Sequence, residues 1–345
     1  MNIPEVLEKI LYKQNLSVEE AKELATAIIK GELNEAQTAG ILVALRAKGE
    51  TPEEIAGFAL AMREAALKVG PWEDALDTAG TGGDRMGTFN ASTATALLAS
   101  KIVRVAKHGN RGVSSKSGSA DFLEALGYDI SVKPEEAERV VKESNFVFLF
   151  AQLYHPAMKN VAPVRKALGI RTVFNVLGPL TNPANVKHQV IGVFSKGFMA
   201  QMAQALTYLS PSKVMLVHGE PGIDEVSVSG ITHAVLIKGG SIEELKIDLE
   251  SLRIREPIPI QRLVVSDPVD SVVRFLRTIK GKDEYIRSFV KANLAVATFV
   301  ASKAKSIEDG AELADQVINE GLETITRVVS SHGDVSKLKK LVEAV

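Results

Sequence analysis

The run from Asp77 to Lys107 limits what this chain can fold into more than any other stretch. It opens Asp77-Thr78-Ala79-Gly80-Thr81-Gly82-Gly83-Asp84. Glycines packed this closely let a backbone turn sharply and bring its N–H groups near a ligand. Upstream, Ala75 to Thr78 reads as the end of a short buried strand. Downstream, Asn90-Ala91-Ser92-Thr93 leads into an apolar run through Leu97, Leu98 and Ala99 that reads as a helix. Strand, glycine loop and helix start together build an anion site, because unpaired N–H groups and the helix dipole point the same way. A bare glycine cluster also fits an ordinary tight turn. The polar helix start tips the reading toward a ligand. A Rossmann fingerprint beginning at Gly80 needs glycine or alanine at 85, where Arg85 stands, and no GxxxxGK[ST] loop occurs.

With 345 residues, 46% hydrophobic and 24% charged, the chain can bury a sizeable core and is expected to form two lobes. Its 41 Lys and Arg against 42 Asp and Glu give no global field. That argues against a nucleic-acid protein held mainly by electrostatics. The absence of cysteine excludes disulfides, thiolate metal sites and cysteine nucleophiles. No apolar stretch approaches the roughly 18 residues that span a bilayer. Met1 to Lys9 carries acidic residues and no long apolar core, so no signal peptide is expected. The expectation is a cytoplasmic protein with no membrane and no nucleic-acid partner.

The first seventy residues read as helices. Ser17 with Glu20 and Thr51 with Glu54 form capping boxes, Pro52 takes the favoured first helical position, and Asn34 caps the helix between them. Gly31 and Gly49 close two of these helices. Ile55, Phe58, Ala59, Met62 and Ala66 then make one apolar face.

After Gly70-Pro71 the rhythm changes. Ile102 to Ala106, Tyr128 to Val132, Phe146 to Ala151, Gln189 to Phe194, Val214 to Val217 and Ala234 to Ile237 read as strands. Ala120 to Leu126, a segment opened by Pro134, and Phe198 to Leu209 read as helices between them. Alternation of this kind means βαβ units and a mostly parallel sheet, with ligands beyond the strand C-termini. From Asp267 onward the chain reads as helical, including Ala311 to Val328, and Lys337 to Lys340 as a solvated helix face.

Polar clusters follow several of the strands. Lys107-His108-Gly109-Asn110-Arg111 continues into the hydroxyl-rich Ser114-Ser115-Lys116-Ser117-Gly118-Ser119. Lysine supplies a compact charge for phosphate oxygens, and hydroxyls and helix-start N–H groups supply the rest. Ser117 or Ser119 is also a candidate N-cap. His155 precedes a mostly helical stretch to Leu168, broken near Pro163, that carries Arg165, whose fork suits a carboxylate. Phe174 to Pro183 alternates rigid and permissive residues, either a fixed turn or one wall of an aromatic pocket. His218 to Glu225 ends a strand with adjacent carboxylates; on a loop both can reach a hard cation such as Mg²⁺, although most such pairs are surface charge. Together these clusters suggest a phosphorylated substrate, one or two Mg²⁺ ions and an organic acceptor.

Taken in order, Asp77-x-x-Gly80-Thr81-Gly82-Gly83-Asp84, Thr88-Phe89-Asn90-Ala91-Ser92-Thr93, Lys107 to Arg111, Asn175 to Leu180 and Gly222-Ile223-Asp224-Glu225 resemble the anthranilate phosphoribosyltransferases of tryptophan biosynthesis. The resemblance covers essentially the whole chain. It departs at Ala91, where a larger aliphatic is common, and at Arg104, where proline is common; neither is an expected ligand.

The resemblance implies an α/β fold. A small all-helical domain, residues 1–70 joined by helices from about 156–183, would pack on a larger domain, 71–345, with a mostly parallel central sheet flanked by helices. It implies a homodimer through the helical domain. The implied reaction joins anthranilate to phosphoribosyl pyrophosphate and releases pyrophosphate. Gly80, Gly83, Asp84, Thr88, Asn90, Ser92, Thr93, Lys107 and Ser119 would hold the phosphoribosyl donor, while Gly82 would serve either the donor or only the turn. Ser92, Asp224 and Glu225 would ligate Mg²⁺, two ions per subunit. Gly80, His108, Asn110, His155, Arg165, Gly178 and Pro179 would line the anthranilate site, with Lys107 and Arg165 as catalytic side chains. The alternatives are a pyrimidine nucleoside phosphorylase, whose phosphate loop differs and which has no task for the Asp224-Glu225 pair, and a non-catalytic relative that binds nucleic acid through a local basic patch.

Overall fold

Helix starts written into the sequence set up the first lobe. Helix α1 (Ile3–Leu11) has proline in its first turn. Helices α2 (Val18–Lys30), α3 (Glu35–Lys48) and α4 (Pro52–Ala65) begin with reciprocal capping boxes at Ser17/Glu20, Asn34/Gln37 and Thr51/Glu54. Each box satisfies two backbone N–H groups that the helix itself leaves unpaired. Glu54 does more than cap. It is fully buried, its Oε1 accepts from Leu16 N at 3.0 Å, and its Oε2 accepts from Lys48 Nζ at 2.9 Å. One carboxylate thus ties together the α1–α2 connection, the end of α3 and the start of α4.

The computed structural model describes every residue except Arg85 and residues 113–116. The hydroxyl-rich run at Ser114, Ser115 and Lys116 lies outside the described residues. In chain order the second lobe runs β1 (Leu76–Gly80), α5 (Ala91–Ala99), β2 (Val105–Gly109), α6 (Ser119–Leu126), α7 (Pro134–Ser144) and β3 (Phe146–Phe150). It continues through α8 (Ala151–Tyr154), α9 (Ala162–Leu168), β4 (His188–Gly192), α10 (Lys196–Thr207), β5 (Lys213–Gly219), β6 (Thr232–Lys238) and β7 (Ser241–Ile247). Helices α11 (Pro268–Ile279), α12 (Glu284–Val300), α13 (Ile307–Asn319), α14 (Gly321–Ser331) and α15 (Val335–Glu343) complete it. The sheet order is β3-β2-β1-β4-β5-β6-β7, parallel from β3 to β5 and antiparallel at β6 and β7.

Alternation along β5 separates two cores. Val214 and Leu216 face one cluster and Met215 and Val217 the other, as a period of two dictates. On one face, β1 to β3 pack with α5, α6, α12 and their neighbours. On the other, Ile191, Leu216, Val235 and the α10 residues Met202 and Leu206 join the helical residues Leu24, Ile41, Leu45 and Phe58. Val161, Val164, Val173 and Phe174 also belong to this second cluster. The segment between β3 and β4 therefore returns to the first four helices and crosses the cleft twice.

Four local expectations need correction, the first being the strand read over Ile102 to Ala106: Ile102 and Val103 still bond back to Ala99 in the turn that closes α5, and the strand runs from Val105 to Gly109. Tyr128 to Val132 is not a strand. Tyr128, Ile130 and Val132 are buried as an alternating strand would bury them, but Tyr128 makes only an isolated bridge to Gly333. Burial periodicity without a partner edge is not a strand. The cap of α6 is Gly118 rather than a serine, with Asp121 accepting from its N–H at 3.0 Å. The helix expected over Ala311 to Val328 is divided between α13 and α14. Strand β7, exposed along most of its length, carries no apolar alternation that would have announced it. Among the described residues no helix is long and apolar enough to cross a membrane.

Candidate active site

The C-terminal ends of β1, β2, β4 and β5 open into a cleft of about 1090 Å³ whose other wall comes from α8, α9 and the turns up to Thr181. Parallel strands leave their C-terminal ends free for loops, and here the glycine loop fills that position.

Gly82 and Gly83 take φ of +66° and +90°, backbone that a residue with Cβ adopts only with strain. Gly82 N donates to Asp224 Oδ2 at 2.8 Å, and Thr81 N to Gly192 O at 2.9 Å. The loop is thus tied to β4 and to the acidic loop after β5. A Cβ at Gly192 would lie 1.6 Å from Asp224 O, so only glycine allows the acidic loop to sit this close. Asp84 and Thr88 line the cleft, and Asp84 Oδ1 accepts from Met86 N at 3.2 Å.

Asn90 caps α5: its Oδ1 accepts from Thr93 N at 3.0 Å and from Ser92 Oγ at 3.3 Å. Ser92 N donates to Glu225 Oε1 at 3.2 Å. The first N–H groups of α5 therefore already face acceptors within the protein. Thr93, expected on the donor, is fully buried behind the cleft and does not line it; among the described residues its hydroxyl has no hydrogen-bond partner.

Lys107 comes up from β2 beneath the loop. Its Nζ donates to Thr78 O and lies 3.5 Å from Ser92 Oγ. Burial lowers the ammonium to about 8, opposed by the charges of Asp77 and Glu225. Asp77 is its buried counter-charge. Burial raises that carboxyl to about 6 against the lowering effect of Lys107 and of hydrogen bonds. Asp77 accepts from His108 N at 3.3 Å and from Asn182 Nδ2 at 2.8 Å. Asn182 also donates to Ala106 O, and Gln189 Nε2 donates to Pro179 O, both at 2.8 Å. These bonds stitch the Gly178–Pro179 turn to the sheet.

His108, Asn110, His155, Arg165, Gly178 and Pro179 meet in the other half of the cleft, and Ser119 sits at the start of α6. Asn110 Oδ1 accepts from its neighbour Arg111 N at 2.8 Å. Arg111 itself is held off by Asp121 and Glu124 at 3.2 and 2.5 Å. Arg165 lies 5.9 Å from the Phe174 ring centroid and pairs with no carboxylate among the described residues. A half-buried guanidinium without a counter-charge, walled by an aromatic ring, is suited to an aromatic acid. His218, at the end of β5, instead faces Val193 O at 2.8 Å and does not line the cleft.

Asp224 and Glu225 both reach the cleft. Burial, then the charge of Asp84, raises the Asp224 carboxyl to about 6; burial, then Asp224, raises Glu225 well above its usual range. Glu225 Oε2 is buried without a partner among the described residues. Crowded, desolvated acids with an orphaned oxygen fit a hard divalent cation. Among the described residues no group of three or more His, Cys, Asp or Glu is arranged to hold a metal alone. The donor set therefore suits an ion that takes further oxygens from a substrate.

Sequence reasoning missed Asp77 as a structural acid, its partners Asn182 and Gln189, and Arg171. The Arg171 Nη2 donates to Gly83 O at 3.2 Å.

The same architecture occurs in known proteins. Residues 4–66 match the model of a glycosyl transferase family helical bundle domain, and residues 72–323 that of a glycosyl transferase family a/b domain. An anthranilate phosphoribosyltransferase of Saccharolobus solfataricus is 53% identical over 342 residues, 99% of each chain. The crystal structure of the Thermus thermophilus enzyme of that name superposes with a TM-score of 0.87 at 39% identity, over 98% of this chain and 100% of that one. The Saccharomyces cerevisiae enzyme, solved in complex with PRPP and Mg, gives a TM-score of 0.83 at 27% identity over 99% and 98%. With its helical bundle, its α/β domain and similarity to such relatives over nearly its whole length, the chain belongs to the anthranilate phosphoribosyltransferase family.

Proposed function

We infer that this protein transfers the 5-phosphoribosyl group of phosphoribosyl pyrophosphate to the amine of anthranilate, releasing pyrophosphate, in tryptophan biosynthesis. One observation carries the reading. A single cleft holds an unpaired arginine beside an aromatic wall at one end, and a glycine loop, a buried lysine and crowded carboxylates at the other. That is a pocket for an aromatic acid facing a pocket for a metal-bound diphosphate.

The chemistry needs no protein nucleophile. The amine lone pair forms the new bond to ribose C1 as the C1–oxygen bond breaks. Pyrophosphate leaves with that electron pair, and the new ammonium loses its proton to solvent. An aromatic amine is neutral near pH 7, so no base need act before attack. Lys107 faces the charge that develops on the leaving group, with those N–H groups of the loop that are not already bonded within the protein. Gly80, Gly82, Gly83, Asp84, Thr88, Asn90, Ser92 and Ser119 shape that end, with Thr93 supporting the helix start. Ser92, Asp224 and Glu225 would hold Mg²⁺, two ions per subunit, which supplies further stabilisation of the leaving diphosphate when bound. Arg165 pairs the anthranilate carboxylate, while His108, His155, Asn110, Gly178 and Pro179 orient the ring. Holding two reactants in line can lower the barrier by about 7–11 kcal/mol. Catalysis is then chiefly placement, with Lys107 and Arg165 as the catalytic side chains.

The proposed division is residues 1–70, joined by helices from about 156–183, and 71–345; both lobes contribute to the anthranilate end, since Gly80, His108 and Asn110 belong to the larger one. A homodimer through the helical lobe is supported by Leu11, Tyr12 and Val43, large apolar side chains exposed on that lobe. A cytoplasmic location accords with a biosynthetic reaction on soluble substrates.

The test is anthranilate fluorescence with purified protein, phosphoribosyl pyrophosphate and Mg²⁺, the product identified by mass. Magnesium-dependent loss of anthranilate with formation of phosphoribosylanthranilate is expected. Folded protein that leaves anthranilate untouched would overturn the reading.

A further inference from the structure

Arg171 has no part in the reaction as described so far, yet it faces the same cleft from the helical side. It precedes Val173 and Phe174, which are packed in the core shared with the first four helices. Its guanidinium lies 4.4 Å from the Phe194 ring centroid, and Phe194 in turn stacks on Phe198 at 5.6 Å. Phe194, backed by Phe198, thus seats the charge without using its N–H groups. Among the described residues its hydrogen bond is to Gly83 O, and it pairs with no carboxylate. A Cβ at Gly83 would lie 2.0 Å from Arg171 Nη2, so the loop and the guanidinium are fitted to each other.

We propose that Arg171 is a second cationic contact for the diphosphate of the phosphoribosyl donor, reaching it from the helical side while Lys107 reaches it from the sheet. A guanidinium offers five donors in a rigid fork that matches phosphate oxygens. Here it is stacked, half-buried and set against the loop that borders the diphosphate pocket. This assignment rests on the phosphoribosyl-transfer reading. It also gives that reading a physical link across the cleft, since a diphosphate touching both walls holds them together.

The test is titration calorimetry of inorganic pyrophosphate with Mg²⁺ into the full-length protein and into Arg171→Ala, Arg171→Gln and Arg171→Lys. The alanine and glutamine variants are expected to bind at least about tenfold more weakly, the loss of one charge-assisted contact. Lysine should recover part of the affinity. The KM for phosphoribosyl pyrophosphate should rise in parallel, while that for anthranilate stays within twofold. Glutamine can still donate to Gly83 O; a glutamine variant that binds like wild type would reduce Arg171 to a packing group and overturn the proposal. An alanine variant within twofold of wild type would do the same. Wild-type protein that binds no pyrophosphate with Mg²⁺ would instead overturn the phosphoribosyl reading, and the Arg171 assignment with it.

Discussion

His108 and His155 face each other Nε2 to Nε2 at 3.1 Å, and His108 Nδ1 faces Gly178 O at 3.1 Å. A carbonyl only accepts, so His108 carries its proton on Nδ1 and presents a bare Nε2. His155 must then donate from its own Nε2. Burial pushes the rings down to about 3 for His108 and about 4 for His155, so both are neutral at pH 7. In place of a charge, the pair gives the cleft a fixed neutral wall, and it orders the Gly178 turn from below.

This arrangement has a pH signature. An unfolded histidine takes up its proton near 6.5, whereas the folded rings do so only near 3 to 4. Depressed values mean that the pair supports the fold fully above about pH 6.5 and withdraws that support as pH falls toward 4. Nitrogen-detected NMR should show Nδ1–H on His108 and Nε2–H on His155, with neither ring titrating between pH 5.5 and 8. A midpoint near 6.5 in either ring would contradict the pairing.

Arg165 is expected to act on one substrate alone. Removing a charge-assisted contact costs about 1.5–3 kcal/mol, or roughly 10- to 150-fold in affinity. Arg165→Ala should therefore raise the anthranilate KM by about that factor and leave the KM for phosphoribosyl pyrophosphate nearly unchanged. Steady-state kinetics with each substrate varied in turn checks this, and an unchanged anthranilate KM would remove Arg165 from the pocket.

Asp224 and Glu225 tie metal binding to pH. Their raised values mean that the folded site holds protons more tightly than the unfolded chain does, so these groups favour folding at low pH and oppose it as pH rises, Asp224 through about 6 and Glu225 above its usual range. In the proposed site magnesium would compete for the same oxygens. The rise in melting temperature on adding Mg²⁺ should be larger at pH 7.5 than at pH 5.5, and should vanish in Asp224→Ala/Glu225→Ala. An equal rise at both pH values would mean that these carboxylates do not bind the ion.

Stability of the helical lobe should depend on Glu54. The Lys48 and Glu54 side chains are 4% and 0% exposed, so deleting the acid strands a buried ammonium and the N–H groups of Leu16 and Thr51. Breaking a buried pair from one side costs about 3–5 kcal/mol. Urea unfolding of Glu54→Ala should show a loss of that order, with the catalytic parameters of the folded fraction unchanged. A loss below about 1 kcal/mol would mean that water reaches Lys48, as it does at exposed pairs.

What could be read from the sequence was local. Ser17, Asn34 and Thr51 announced their helices because a cap and its partner lie three residues apart. The glycine loop and the Asp224-Glu225 pair stood out because each follows a strand; Lys107 stood out at the head of a polar cluster, although it lies within β2. The pairings that hold the site together did not stand out. Asp77 meets Asn182 across 105 positions and Arg171 meets Gly83 across 88. Single polar residues at such separations carry no periodicity and no spacing rule. Thr93 lay in a motif whose neighbours face the cleft, yet the turn of α5 rotates it into the core, a result that depends on where the helix begins.

In the proposed function one cleft takes a diphosphate at the glycine loop and an aromatic acid beside Arg165. A crystal structure grown with Mg²⁺, pyrophosphate and anthranilate tests it most directly. Pyrophosphate is expected between Lys107 and the loop from Gly80 to Ser92, with the ion on Asp224 and Glu225 and the anthranilate carboxylate on Arg165. Anthranilate bound away from Arg165, or pyrophosphate outside the glycine loop, would contradict the account.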